Sequence, residues 1–269
     1  STLTITLTGT NDAPIAVADV NSGNEDAIVT GTVAANDSDV DDGAVLSFAT
    51  TGPVPPGLTF NSNGSYSFDA GNAVYQHLAQ GATTNVVASY TVTDQYGASS
   101  ASTLTITLTG SNDTPVAVVD TDCGLEDTTI TGTVATNDSD VDDGAILSYA
   151  TSGPVPAGLT FNSNGSYSFD AGNAAYQHLA QGATEVVTVG YTVTDEHGAT
   201  ATSTLTITLT GTNDAPIAVA DSNSGNEDTT ISGTVATNDS DADDGAVLSY
   251  ATTGPVPAGL TFNSNGSYS

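Results

Sequence analysis

Thr103-Leu104-Thr105-Ile106-Thr107-Leu108-Thr109 sets an apolar residue against threonine at every step. A period of two, with β-branched partners, marks a half-buried antiparallel strand with one face on a core and the other in solvent. The same heptapeptide stands at Thr2–Thr8, so a strand is expected there too. Working outward, the alternation recurs at Leu46/Phe48, Leu58/Phe60, Tyr66/Phe68 and Tyr90/Val92. Asn61-Ser62-Asn63-Gly64 carries an Asn-Gly hairpin signal, and Gly52-Pro53-Val54-Pro55-Pro56-Gly57 interrupts the preceding pair of strands. Strands are therefore expected near 14–20, 27–35, 44–51, 57–61, 65–69, 85–94 and 100–109. Seven short strands per roughly 100 residues read as an immunoglobulin-like, Greek-key β-sandwich in an all-β chain. Asn72–Gly81 departs from the pattern. Tyr75 and Leu78 lie three apart before a closing glycine, which predicts one helical turn across an end of the sandwich. His77 and His178 fall in that segment and read as ordinary surface or core histidines.

The chain repeats itself at a constant offset of 101 residues without gaps: Asn11-Asp12-Ala13-Pro14 returns as Asn112-Asp113-Thr114-Pro115 and Asn213-Asp214-Ala215-Pro216. A period this long exceeds a solenoid unit, so each copy is expected to be a whole domain, in a beads-on-a-string arrangement. The predicted division is 1–10 as the last strand of a preceding repeat, 11–111 as repeat 1, 112–212 as repeat 2 and 213–269 as a truncated repeat 3. The segment reads as an excerpt of a longer array. Any export address is expected outside it.

Composition excludes several functions. There are 31 acidic residues, no Lys, no Arg and three His, so no ordinary salt bridge can form. Each carboxylate needs water, an N–H, a hydroxyl or a bound cation. Nothing in the chain could neutralise phosphate, which excludes nucleic acid and argues against an anionic membrane surface. No apolar run approaches the roughly 18 residues of a membrane helix. Cys123 is the only cysteine and replaces Ser22 and Ser224 of the other copies. Drift from serine and an intermolecular disulfide both remain open.

The carboxylates are clustered. Asn36-Asp37-Ser38-Asp39-Val40-Asp41-Asp42-Gly43 packs four into one inter-strand loop, repeated as Asp138/Asp140/Asp142/Asp143 and Asp239/Asp241/Asp243/Asp244. Calcium takes six to eight hard oxygen ligands, which alternating Asp in a Gly-closed loop can supply. Asp42 and Phe48 stand where an EF-hand needs Gly and Glu, so this is not an EF-hand. Asn11-Asp12, Asn112-Asp113 and Asn213-Asp214 lie at domain junctions. Glu25-Asp26 and Glu126-Asp127 follow the first strand, as Glu227 does in the third copy, and Asp94 and Asp195 end a later one. Singly, each reads as a turn or cap residue. Together they become metal-ligand candidates, because a sandwich gathers loops at the end of its sheets.

These residues carry a resemblance. Gly9-Thr10-Asn11-Asp12-Ala13-Pro14, Gly64-Ser65-Tyr66-Ser67-Phe68-Asp69, Tyr90-Thr91-Val92-Thr93-Asp94 and Leu104-Thr105-Ile106-Thr107-Leu108-Thr109-Gly110 resemble the VCBS repeats of giant bacterial surface adhesins. The layout of Glu25, Asp37/Asp39, Asp94 and Asn112/Asp113 is also similar to that of cadherin repeats. The resemblance implies calcium (Ca2+) between consecutive domains. At the first junction it points to Glu25 and Asn112/Asp113 with Asp138, Asp140 and Asp195. It further implies a secreted protein of the bacterial cell surface or matrix, serving cell adhesion and biofilm formation as a calcium-stiffened extender. The expected partners are neighbouring repeats of the same chain, with lateral or end-to-end self-association, which the Thr-rich strand faces allow, and a glycan as further candidates. A self-assembling filament or sheath and a calcium-dependent carbohydrate-binding module are the alternatives, the latter disfavoured because the chain has no Trp. No Ser-His-Asp set, zinc-ligand spacing or phosphate loop is present, so no enzyme is expected.

Overall fold

The computed structural model describes residues 1–269. The protein is all-β and contains no helix, hence none long and apolar enough to cross a membrane. It divides into two compact units: residues 1–115 with 140–146 and 195–199, and residues 116–139 with 147–194 and 200–269.

In the first unit the strands are β1 (Asp19–Asn24), β2 (Ile28–Thr32), β3 (Ser47–Thr51), β4 (Leu58–Phe60), β5 (Ser65–Asp69), β6 (Thr83–Thr93) and β7 (Ser99–Thr109). β1-β7-β6-β3 form one sheet and β2-β5-β4 the other. The alternating sequence decides the two long strands. Leu104, Ile106 and Leu108 of β7, at most 2% exposed, enter the core beside Tyr90 and Val92 of β6, while the intervening threonines face outward. They meet Phe68, Val29 and Val33 from the opposite side. Each such large apolar side chain contributes about 1.5–3 kcal/mol on burial. The β6–β7 turn closes on Asp94, whose Oδ1 accepts the N–H groups of Tyr96 and Ala98 at 2.8 and 2.9 Å.

The second unit repeats this plan with β8 (Asp120–Leu125), β9 (Thr129–Thr133), β10 (Ser148–Ser152), β11 (Leu159–Phe161), β12 (Ser166–Asp170), β13 (Thr184–Thr194) and β14 (Thr200–Thr210). Its sheets are β10-β13-β14-β8 and β11-β12-β9. The third copy adds only the short pair β15 (Gly233–Thr234) and β16 (Ser267–Tyr268).

Three expectations need correction. The first strand is not at 14–20 but at Asp19–Asn24, and upstream of it only Ile15 bridges to Ser38. β1 is polar and pairs in parallel with the end of β7, from Asp19↔Leu104 to Asn24↔Thr109. Its conformation comes from that edge, not from its own side chains. Residues 1–10 form no strand despite perfect alternation, and Leu3, Ile5 and Leu7 are 73–90% exposed. Backbone groups become a strand only against a neighbour, and this segment has none. Finally, 72–81 is a run of tight turns, with Tyr75 N–H on Asn72 O and Leu78 N–H on Tyr75 O at 2.9 and 3.3 Å. Tyr75 and Leu78 are nevertheless buried.

Candidate metal centre

Asp113 and Asp142 define the centre in the first unit. The Asp113 backbone N–H donates to Asp142 Oδ2 at 3.0 Å, and the Asp142 N–H donates to Asp140 Oδ1 at 3.0 Å. This ties the segment leaving β7 to the acidic loop. Glu25 closes the set from the end of β1. Its N–H donates to Thr109 O at 3.0 Å, and its Oε1 accepts the Ser111 N–H at 2.5 Å. Oxygens of Glu25, Asp113 and Asp142 lie within 4.8 Å of one another. Glu25 is 2% exposed and Asp142 6%.

One oxygen of each carboxylate has no donor. Glu25 Oε2, Asp113 Oδ2, Asp142 Oδ1 and the neighbouring Asp140 Oδ2 are buried without a hydrogen-bond partner. Two unit charges at 4.8 Å repel by about 3.5 kcal/mol at an effective dielectric of 20. The three pairs together approach the whole stability of an ordinary domain, about 5–15 kcal/mol. The titration behaviour reflects this. Burial, and then the charges of Asp113, Asp26 and Asp142, raise the Glu25 pKa despite the Ser111 hydrogen bond. Burial, and then Asp26, Asp142 and Asp140, raise that of Asp113.

A divalent hard cation fits this donor set: all-oxygen, polyanionic, with one donorless buried oxygen on each carboxylate and no imidazole or thiolate among them. The second unit builds the same arrangement from Glu126, Asp214 and Asp243, again within 4.8 Å. Glu126 is fully buried and accepts the Thr212 N–H, and Asp214 N–H donates to Asp243 Oδ2 at 3.1 Å. Glu126 Oε2, Asp214 Oδ2 and Asp243 Oδ1 have no donor.

The other candidates sort by what their oxygens already hold. Asp26 and Asp127 adopt left-handed backbone, φ 65° and 64°, next to the buried glutamates, and accept weakly from Ser111 Oγ and Thr212 Oγ1. Asp195 is engaged on both oxygens, accepting from the N–H groups of His197 and Ala199 and from Asn112 Nδ2 at 2.9 Å. Burial opposes the shift, but those hydrogen bonds outweigh it and lower its pKa. Asp94 is lowered chiefly by Asn11, whose Nδ2 donates to it at 2.7 Å. Asp12 N–H meets Asp41 Oδ2 and Asp41 N–H meets Asp39 Oδ1, both at 2.9 Å, repeating half of the centre without a glutamate. Asn213 caps Asp214 O, and Asp241 Oδ1 accepts the Asp243 N–H.

Asp37, Asp138 and Asp239 stand outside the two trios, although Asp138 Oδ2 is also buried without a donor. Their carboxylates accept the N–H groups of Val17, Val118 and Val219 at 2.6–2.7 Å, pinning the segment before the first strand. Asp142, not Asp138, completes the trio. Asp42, Asp143 and Asp244 are exposed outside it. The backbone N–H groups of Asp143 and Asp244 donate to the carbonyls of His77 and His178, both at 2.9 Å. Glu227 is exposed and joins no set.

Asp19 and Asp120 were missed by pattern reading. Each accepts a 2.8 Å hydrogen bond from a fully buried tyrosine, Tyr90 or Tyr191. Burial, opposed by those bonds, raises both their pKa values. Their inward-facing strand positions were the available signal.

The family described as a bacterial cadherin-like domain matches residues 11–110 and 112–211, and a bacterial Ig domain matches 213–269. Among solved structures, human CDH23 EC21-23 is similar at 18% identity and TM-score 0.62, covering 96% of this chain and 89% of that one. PcdhgB3 EC1-4 is similar at 16% identity and TM-score 0.55, covering 95% and 66%. At these identities the likeness shows the fold. No curated protein matches.

Proposed function

We propose, for a chain that belongs to the bacterial cadherin-like domain family, that its tandem repeats are calcium-stiffened extenders of a secreted adhesin on the bacterial surface, in cell adhesion and biofilm formation. One observation carries this. Glu25, Asp113 and Asp142, each with one buried oxygen that has no donor, bring carboxylate oxygens within 4.8 Å of one another from three parts of the sequence: the first repeat, the junction and the acidic loop of the second repeat. Bound calcium would supply the positive charge that the sequence lacks. Glu25, Asp113 and Asp142 would hold it, and Glu126, Asp214 and Asp243 would do the same in the other unit.

The chain's own residues prepare the site. Ser111 N–H orients Glu25, Asp113 N–H orients Asp142, and Asn112 fastens the junction to Asp195. The acidic loop of the second repeat is thereby tied to the end of the first, and ion binding would remove the remaining slack. Cadherin-like and Ig-like domains are structural modules, which supports a non-catalytic role.

The test is thermal unfolding and small-angle scattering of the whole chain with calcium and after chelation. At a calcium concentration 100 times the dissociation constant, binding adds about 2.7 kcal/mol per site. A chelated chain that melts and scatters as the loaded one does would sink the proposal.

A further inference from the structure

We infer that the run of turns at 72–81 is a docking platform for the acidic loop of the following repeat, and that it clasps the junction without a metal ion. The segment departs from the strand pattern of the sandwich, and the metal centre takes no ligand from it. Burial fixes one side of it: Tyr75 and Leu78 are in the core, and the Tyr75 hydroxyl donates to Pro56 O at 3.0 Å. Backbone pairing fixes its end, since Gly81 N–H donates to Gly110 O at 2.9 Å and Gly110 N–H to Ala82 O at 2.8 Å. Between these anchors the His77 carbonyl accepts the Asp143 N–H of the next repeat at 2.9 Å. The second unit builds the same platform. Tyr176 and Leu179 are buried, Gly182 N–H donates to Gly211 O at 2.9 Å, and the His178 carbonyl accepts the Asp244 N–H at 2.9 Å.

The clasp does not need the ion. Asp143 and Asp244 stand outside the two carboxylate trios. Both partners in the bond are backbone groups, which neither ionise nor lose their hydrogen-bonding capacity when a cation leaves. The loop shapes itself as well: Asp142 N–H donates to Asp140 Oδ1 at 3.0 Å and Ala145 N–H to Asp142 O at 3.2 Å, so a turn of the loop's own making presents Asp143.

The imidazoles are not the common element. His77 Nε2 lies 3.9 Å from Asp143 Oδ2, whereas His178 Nε2 lies 3.8 Å from Glu185 Oε2 of its own repeat. The carbonyl is what the two junctions share. Its consequence rests on the proposed extender role. The clasp holds the loop that carries Asp142 at the end of the first repeat before an ion arrives, and a chain stripped of calcium keeps that loop docked. Each joint then stiffens in two stages, the backbone clasp first and the ion second.

Amide hydrogen exchange of the whole chain after chelation, followed residue by residue by NMR, tests this. Val40-Asp41-Asp42-Gly43 and Val141-Asp142-Asp143-Gly144 are the same tetrapeptide, so the Asp42 and Asp143 amides share an intrinsic exchange rate. The Asp42 N–H has no backbone acceptor. Asp143 and Asp244 should therefore exchange at least about tenfold more slowly than Asp42 in chelator. His77→Ala should keep the protection of Asp143, because the carbonyl stays. Leu78→Ala, which loosens the platform, should lower the protection of Asp143 and leave that of Asp244, with the Tyr90 amide reporting that the first sandwich is still folded. Exchange of Asp143 as fast as that of Asp42 overturns the clasp. Protection that appears only with calcium, or that His77→Ala abolishes, also overturns it and leaves the extender role standing. A chain that binds no calcium yet protects Asp143 would sink that role and keep the clasp.

Discussion

Asp142 accepts the backbone N–H of Asp113 on Oδ2 at 3.0 Å, keeps Oδ1 buried and without a donor, and has a carboxylate oxygen within 4.8 Å of those of Glu25 and Asp113. The hydrogen bond holds together two groups that charge alone would drive apart. The junction therefore gathers carboxylates that repel one another, and on the proposed function this makes it sensitive to substitution, pH and chelation.

Glu25→Gln should have opposite effects in the two states. Without metal it removes a buried negative charge and is expected to raise stability by about 1–2 kcal/mol. With calcium it removes a ligand, and the affinity of that site should fall at least about tenfold. Melting with and without chelator, compared with Glu126→Gln, checks both signs.

The pH dependence of the metal-free chain follows from the shifted groups. The raised pKa values of Glu25 and Asp113, above 4.5 and 3.8, mean the folded state holds their protons more tightly. Their contribution to stability is full below those values and is lost as pH rises through the folded pKa values. Asp94 and Asp195 are lowered below 3.8, so their contribution is present above 3.8 and lost as pH falls through their folded values. Chelated protein should therefore be most stable at acid pH, between these limits, and saturating calcium should move the optimum toward neutrality. Melting temperatures across pH 3–8 (about that span suffices) that are unchanged by calcium would contradict it.

Asn112→Ala should cost about 1–3 kcal/mol. It deletes the amide that donates to Asp195 at 2.9 Å and to Asp113 O at 2.7 Å. Asn11→Ala removes the matching pair at Asp94 and Asp12 O. Urea unfolding of each variant gives the size.

Gly110→Ala should be more damaging than its size suggests. A Cβ there would lie 2.3 Å from the carbonyl oxygens of both Leu78 and Ala79, which are backbone and cannot rotate away. Gly110 also exchanges hydrogen bonds with Gly81 and Ala82 at 2.9 and 2.8 Å. A loss of about 2 kcal/mol or more is expected. Gly9→Ala, with nothing within 4 Å, should be neutral in the same melt.

Tyr90→Phe tests the anchoring of the segment before β1. The hydroxyl serves Val17 O, Asp19 and Asp37 at 2.9, 2.8 and 3.1 Å. Its loss removes a shared donor from two neighbouring carboxylates and leaves Asp37 with the Val17 N–H. A cost of about 1–3 kcal/mol is expected by urea unfolding.

Where a strand carries its own pattern, it could be read directly. The β6 and β7 alternation, the Asn63-Gly64 turn and the 101-residue register all rest on local residues, and the sandwich follows from them. β1 could not be read, because Asp19–Asn24 is extended only by pairing with β7, roughly 85 positions away. Thr2–Thr8 shows the converse, a strand sequence that no neighbour completes.

The sequence by itself determined that acidic loops recur, that no cation in the chain could neutralise them, and that only an external one could. That conclusion needs composition and spacing alone, because charge is conserved however the chain folds. The choice among the carboxylates belonged to the tertiary structure. It set Asp142 beside Glu25 and Asp113, gave one oxygen of Asp138 to the Val118 N–H, and filled Asp195 with three donors. A loop of alternating aspartates offers each oxygen equally well on paper, and which ones stay free depends on the donors that residues distant in sequence bring to them.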